Sequence, residues 1–287
     1  MDTRELGLVL AQTLLGLEDL HYGLWEPDQE LSFTQAVIAQ QAYTTRMLDG
    51  LPPAAEAPRV LDVGCGTGLT LMKLLDRGYK ADGLVPSRFL AESVRGKIKT
   101  RGDDSTAIVH ECMFEDIDLA NNMHAYDALV FSESFQYIDI TECFALINKL
   151  LKPGGTVVIF DYFRINTDGP KPEFKVVGGG HRLDRFRAGL EAAQFEVLSD
   201  DDLTLGTSRT IDFFNWALLK RIHPSLLAVQ GYMQENRPLI LRFIMWLARR
   251  KVVKLQRKYF SGSMTSDQFA MTHCYRLFVL RGTATAD

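Results

Sequence analysis

Val60-Leu61-Asp62-Val63-Gly64-Cys65-Gly66-Thr67-Gly68 decides the fold of this 287-residue chain. A β-branched, apolar run ends at an acid, a glycine-rich turn follows, and an amphipathic segment runs from Leu69 to Leu75. That order reads as a strand, a tight turn and a helix start. Glycines at alternate positions let the backbone bend sharply and let a ligand approach the main chain closely. The helix N-terminus beyond them offers N–H groups with no intrahelical partner.

Outward from this stretch, apolar residues at helical spacing predict helices over 4–20 and 32–49, joined by a turn at His21-Tyr22-Gly23-Leu24-Trp25-Glu26-Pro27. The prolines of Leu51 to Pro58 mark a loop. From Arg59 strand and helix patterns alternate. Strands are expected at about 59–63, 79–85, 106–112, 126–132, 155–162, 195–200 and 273–281, and helices at about 68–77, 87–100, 139–151 and 182–193. Such alternation implies β-α-β units and a mostly parallel sheet. Lys152-Pro153-Gly154-Gly155 ends a helix and opens a strand. Residues 205–262 break the alternation with a helical, apolar stretch between the last two strands, read as an inserted cap.

Composition excludes several classes. Apolar residues make up 46% and charged residues 24%, with a net charge of −4, so nothing draws the whole chain to nucleic acid or anionic lipid. The four cysteines, Cys65, Cys112, Cys143 and Cys274, form no C-x-x-C pair, which argues against a zinc site or a disulfide framework and for a reducing, cytoplasmic setting. The N-terminus does not read as a signal peptide, and no apolar run is long enough to span a bilayer.

The glycine spacing separates two ligand classes. Dinucleotide binders carry G-x-G-x-x-G with a pyrophosphate on the helix N-terminus. Here the third glycine comes one residue early, and Asp62 to Gly68 resembles motif I of the class I S-adenosylmethionine (SAM)-dependent methyltransferases. Tyr126 to Ser134 resembles that family's central strand and following turn, Leu150 to Ile159 its helix–turn–strand, and His181 to Val197 its late helix and strand. His21-Tyr22-Gly23-Leu24-Trp25 is similar to a lid motif of small-molecule methyltransferases in the tocopherol, geranyl diphosphate, amine and cyclopropane fatty-acid synthase-like group. Lys258-Tyr259-Phe260-Ser261-Gly262, then Phe269 and Tyr275, resembles the same group. The resemblance implies an α/β, Rossmann-like, seven-stranded sheet with helices on both faces. It implies one domain: an N-terminal helical lid (1–50), a SAM-binding core (59–200), a helical substrate cap (205–262) and a last strand (273–281).

The cofactor implied is SAM, held by Asp62, Gly64, Gly66, Thr67 and Gly68 at its methionine end, with Tyr22, Ser132 and Phe114 around it. Two departures stand out. Val85 occupies the position where the family usually has a ribose-binding acid, and valine accepts no hydrogen bond, leaving Ser87 or backbone groups. Met113 stands where an acid often meets adenine, with Glu115 or Asp116 as substitutes. A dinucleotide enzyme would also want the missing acid. Methyl transfer needs alignment, an electron-rich acceptor and exclusion of water. Glu133, Tyr137 and His181 are the candidate catalytic residues, and Gln136, Asp161, Tyr162 and Trp246 the candidate substrate contacts. His273 is expected to be structural, and no metal site is expected.

From Arg237 to Lys258 there are eight Lys or Arg residues and no acid, interleaved with apolar residues. The stretch reads as a solvated helix face or as a contact with an anionic substrate or a membrane surface. The expected activity is direct methylation of a small, lipophilic metabolite, with no nucleic-acid partner. The alternatives are an isoprenoid or alkene C-methyltransferase, cyclopropane synthase-like and working through a carbocation, and a non-catalytic binding module on the same fold. Oligomeric state is not legible.

Overall fold

The computed structural model describes residues 12–13, 16–17, 21–165, 179–259 and 265–282, with backbone alone for 248 and 250–259. Most of the helix expected over 4–20, and the stretch Phe260 to Gly262, lie outside the described residues.

Seven strands form one sheet: β1 (Arg59–Val63), β2 (Lys80–Leu84), β3 (Val109–His110), β4 (Tyr126–Ser132), β5 (Leu151–Arg164), β6 (Phe195–Asp202) and β7 (His273–Gly282). Their order is β3-β2-β1-β4-β5-β7-β6. β7 runs antiparallel to β5 and β6, and the other neighbours pair in parallel. The α/β, Rossmann-like sheet with helices on both faces is thus the fold of this chain.

Period-two alternation splits the strands between two cores. Val60, Ala128, Val130, Val158 and Phe160 face one side, under α1 (Phe33–Leu48), α2 (Leu69–Asp76) and α3 (Arg88–Arg101). Leu61, Leu129, Phe131, Val157 and Ile159 face the other, under α5 (Ile140–Leu150) and α6 (Leu183–Ala192), the short α4 (Leu119–Asn122) lying between β3 and β4 in sequence. Full burial of each large side chain contributes about 1.5–3 kcal/mol. Helix starts carry the caps the sequence offers. Ser32 accepts the N–H of Gln35, Ser87 that of Leu90, and Asp139 those of Thr141 and Glu142.

Two boundaries differ from expectation. Lys152-Pro153-Gly154-Gly155 does not precede β5 but lies within it. Leu151 already pairs with Tyr126, and the register then jumps before Ala128 meets Thr156. Gly154, at φ +74°, absorbs that irregularity. β3 is two residues long rather than seven. Between β6 and β7 stand α7 (Thr204–Ala217), a π-helical turn (Leu218–Ile222), α8 (His223–Asn236), α9 (Pro238–Tyr259) and α10 (Ser266–Thr272). No helix among the described residues is long and apolar enough to cross a membrane.

Candidate active site

The strand order reverses direction between β1 and β4, and a ligand crevice opens where neighbouring parallel strands send their connections to opposite sides. A cavity of about 330 Å³ lies there. Its walls are Asp62 on β1, Gly64, Cys65 and Gly66 after it, Thr70 on α2, Ser132 at the end of β4, Glu133 and Tyr137 after it, and His21.

The three motif glycines answer different demands. All have positive φ, +79°, +53° and +83° at Gly64, Gly66 and Gly68. A Cβ on Gly64 would lie 2.6 Å from Ser134 Cβ, and one on Gly68 2.9 Å from Val94 Cγ2, so both are packing positions. A Cβ on Gly66 would meet only the Gly64 carbonyl, at 3.9 Å. Gly66 is therefore the glycine whose side stays open at the cavity wall. Thr67 is buried and outside the cavity wall, and its carbonyl accepts from Lys97 Nζ at 2.8 Å.

Glu133 is the hub of the opposite wall. Its φ of +53° is rare for a residue with a side chain and belongs to sites where the surroundings over-determine the backbone. Its N–H donates to the Phe160 carbonyl at 3.0 Å. Its Oε1 accepts from the Tyr22 N–H at 2.5 Å and from the Tyr275 hydroxyl. Burial first, then the Glu133 charge, pushes the hydroxyls of Tyr22, Tyr43 and Tyr275 well above the usual tyrosine range, so they stay protonated donors. Tyr43 stacks on Phe160 at 3.9 Å and on His21 at 4.3 Å, and its hydroxyl donates to the Phe160 carbonyl at 2.9 Å. Tyr22 is thereby tied to the β4 turn by its backbone, while its ring packs 5.4 Å from that of Tyr275.

Asp161 and Gln136 shape the loop rather than face the cavity. Asp161 is fully buried and accepts from the Gln136 N–H at 3.0 Å, Gln136 Nε2 at 3.2 Å and the Tyr162 N–H at 2.8 Å. Burial, and after it the Glu133 charge, pushes its carboxyl well up despite those donors. Tyr162 packs at 6.0 Å from each of Phe269, His273 and Tyr275. Tyr137 lines the cavity and is 75% exposed, so it stands at the rim.

Several expected site residues lie elsewhere. Val85 is buried in the core under α3, its N–H given to the His110 carbonyl at 3.0 Å. Phe114 is buried against Phe131, edge to face at 5.6 Å, and is a core residue. Ser87 caps α3. Glu115 and Asp116 share a 3₁₀ turn with Phe114, outside the cavity wall. His181 sits against Phe135 with Nε2 directed at the carbonyls of Ile138 (2.8 Å) and Phe135 (3.3 Å). A nitrogen facing carbonyls must carry the proton, so Nε2 is a donor there, and His181 lies outside the cavity wall. Trp246 is 61% exposed on α9, beside Phe243, away from the cavity wall. Sequence reasoning assigned no role to Cys65, Thr70 and Tyr43. For Tyr43 a signal existed: it lies on the buried face of α1, four residues from Ala39 and from Met47.

The cavity wall carries two carboxylates, Asp62 and Glu133, and no Lys or Arg. Such a site favours a cation and disfavours a pyrophosphate. No three His, Cys, Asp or Glu residues cluster as metal ligands among the described residues.

Residues 60–155 match the family model of a methyltransferase domain. An uncharacterized methyltransferase of Mycobacterium tuberculosis is 30% identical over 132 residues, 45% of this chain and 51% of the relative. The chain thus spans about half the length of the mycobacterial relatives it matches. The 27-O-demethylrifamycin SV methyltransferase of Amycolatopsis mediterranei is 24% identical over 202 residues, 65% of this chain and 70% of that protein. The crystal structure of geranyl diphosphate C-methyltransferase from Streptomyces coelicolor, in complex with Mg2+, geranyl diphosphate and S-adenosyl-L-homocysteine, superposes with a TM-score of 0.68 at 17% identity, covering 95% of this chain and 92% of that one. At that identity the likeness is one of fold.

Proposed function

We propose that this chain, which carries a methyltransferase domain over residues 60–155 on the class I fold, is a SAM-dependent enzyme that methylates a small, lipophilic metabolite. The observation that carries this reading is the anionic, glycine-floored cavity at the β1/β4 switch point. Its residues fit the methionine end of SAM. The sulfonium and the amino group are cations, Asp62 and Glu133 supply negative charge, and the bare backbone of Gly66 leaves room for close approach. When bound, SAM supplies an electrophilic methyl on sulfur.

The chain's own residues do the positioning. Asp62 and the Gly64–Gly66 backbone hold the amino-acid end. Glu133 fixes the lid through the Tyr22 N–H, and His21, stacked on Tyr43, closes the wall beside it. Tyr137, at the rim, meets the acceptor. Helices α7 and α10, packed on Trp25 and Tyr22 through Phe213 and Phe269, cover the acceptor as a substrate cap. Exclusion of water is the main service of this assembly.

A second reading has one observation in its favour. Glu133 faces the cavity from within a cluster of aromatic rings, Tyr22, Tyr43 and Tyr275. A carboxylate on the cavity wall stabilises positive charge on carbon, which suits C-methylation of an isoprenoid or another alkene. Product analysis separates the two readings, since this route leaves a new C–C bond.

Calorimetric titration with SAM and with S-adenosylhomocysteine tests the proposal. Micromolar binding, lost in Gly66→Trp with the fold retained, is the expected result. Absence of binding by the folded chain refutes it and leaves a binding module with another ligand.

A further inference from the structure

The helices between β6 and β7 carry a second surface. α8 and α9 make their main contacts with each other and with the π-helical turn. Leu227 and Tyr232 on α8, and Leu239, Phe243, Trp246 and Leu247 on α9, are 51–76% exposed. Single exposed apolar residues are ordinary, but a continuous set marks an interaction surface. On α9 the spacing is i, i+4, i+7 and i+8, which places all four side chains on one face. Arg242 and Arg249, both exposed, flank that face.

Charge identifies what covers it. The stretch 237–258 holds eight cations and no acid, so the chain's net −4 becomes −12 once those eight are set aside. A strongly basic, apolar-striped helix on an otherwise acidic protein complements an anionic, partly apolar surface. A twofold contact between copies through this face would set its cations against their own mates. Nucleic acid offers no counterpart to exposed Leu, Phe and Trp. α9 spans about 33 Å at 1.5 Å per residue, yet neither it nor any other described helix is apolar enough to cross a bilayer.

We infer that α8 and α9 form a peripheral docking surface for an anionic lipid bilayer. α9 lies in the plane of the interface, with Leu239, Phe243, Trp246 and Leu247 among the acyl chains and Arg242 and Arg249 at the headgroups. Two signals on one helix, apolar and basic, are what reversible membrane attachment requires. The surface is separate from the cavity, and the inference does not depend on the methyltransferase reading.

Co-sedimentation of the full chain with two vesicle types tests it: phosphatidylcholine alone, and phosphatidylcholine with about one third phosphatidylglycerol, at about 0.1 M salt. The chain is expected to bind the anionic vesicles and not the neutral ones. The emission of Trp246, isolated by difference from Trp246→Phe, is expected to shift to the blue on binding. Arg242→Glu with Arg249→Glu should weaken binding more than tenfold, from roughly fivefold for each charge removed. Phe243→Ser with Leu247→Ser should weaken it while circular dichroism stays unchanged. Equal binding to neutral vesicles, no binding, or double variants that bind like the parent would overturn the inference. So would a dimer in vesicle-free solution that Leu247→Ser dissociates, which would assign the face to a second copy. Suppression of vesicle binding by millimolar diphosphate, at ionic strength matched with chloride, would assign the cations to a soluble anion instead.

Discussion

Tyr275→Phe removes one oxygen and leaves the packing in place. The ring is fully buried, 5.4 Å from those of Tyr22 and Phe160 and 6.0 Å from that of Tyr162, and phenylalanine keeps each contact. What goes is the hydroxyl donated to Glu133. A hydrogen bond to a charged group contributes about 1.5–3 kcal/mol net. Glu133 retains the Tyr22 N–H and borders an open cavity, so water can replace part of the loss. The expected cost is therefore at the low end, about 1.5 kcal/mol, or a fall of about 3–5 °C in Tm for a chain of this size. A double-mutant cycle with Glu133→Gln, followed by urea unfolding, isolates the bond from either residue's other effects. A coupling of about 1 kcal/mol is expected, because glutamine still offers an acceptor but no charge. A coupling below about 0.3 kcal/mol, within the additivity of independent sites, would refute the claim that Tyr275 anchors Glu133.

Three further outcomes follow from the same geometry. Gly68→Ala should cost about 2–3 kcal/mol in urea unfolding, from a left-handed φ and a Cβ at 2.9 Å from Val94, and Val94→Ala in that background should recover only the steric part. Gly66→Ala should cost only the backbone term, about 1 kcal/mol, yet weaken SAM in calorimetry at least about tenfold, since its methyl enters the cavity. Asp82 governs the acid limb of stability. Burial alone would raise its carboxyl, but the His110 ring 4.0 Å away, hydrogen bonds from Arg59 and Tyr126 and the Arg59 charge outweigh that and hold it below the ordinary range. Its contribution is thus complete above the unfolded value of about 3.9 and lost as pH falls through the folded one. Asp82→Asn should lower Tm at neutral pH and narrow its gap to the parent as the pH drops toward about 3.

Much of this was legible because backbone demands write themselves into residue types. The Val60–Gly68 stretch yielded strand, turn and helix to within a residue, and the Pro- and Gly-marked boundaries set most of the rest. Lys152-Pro153-Gly154-Gly155 misled because a bulged strand tolerates the same residues as a turn. In the candidate site, the expected residues that the structure brings to the cavity wall are those at the ends of β1 and β4 and on the turns after them: Asp62, Gly64, Gly66, Ser132, Glu133 and Tyr137. Phe114 and Val85 went astray because an apolar side chain at a strand's end reads the same whether it faces a ligand or the next layer. His181 was read as a candidate catalytic residue by its type, because sequence does not display the carbonyls that fix its ring. Trp246 was drawn to the site by its type, while only the path of α9 reveals that it points elsewhere. Tyr43 lies 117 residues from the Phe160 carbonyl it bonds, a distance no local pattern spans.

The antiparallel placement of β7 reaches beyond sheet architecture. Asp202, the last residue of β6, sits in register with Arg276 near the start of β7, and Arg164, the last of β5, with His273. The chain between β6 and β7 therefore leaves the sheet and rejoins it at neighbouring points on one rim. Whatever is spliced between those points closes a loop whose entropic cost grows only with the logarithm of its length. α7 and α10 belong to that socket, since Ile211 and Phe269 sit in the core with Tyr275, while α8 and α9 are in effect an interchangeable fitting on it: they can lengthen, shorten or be replaced, and both strand registers and the cavity floor stay where they are.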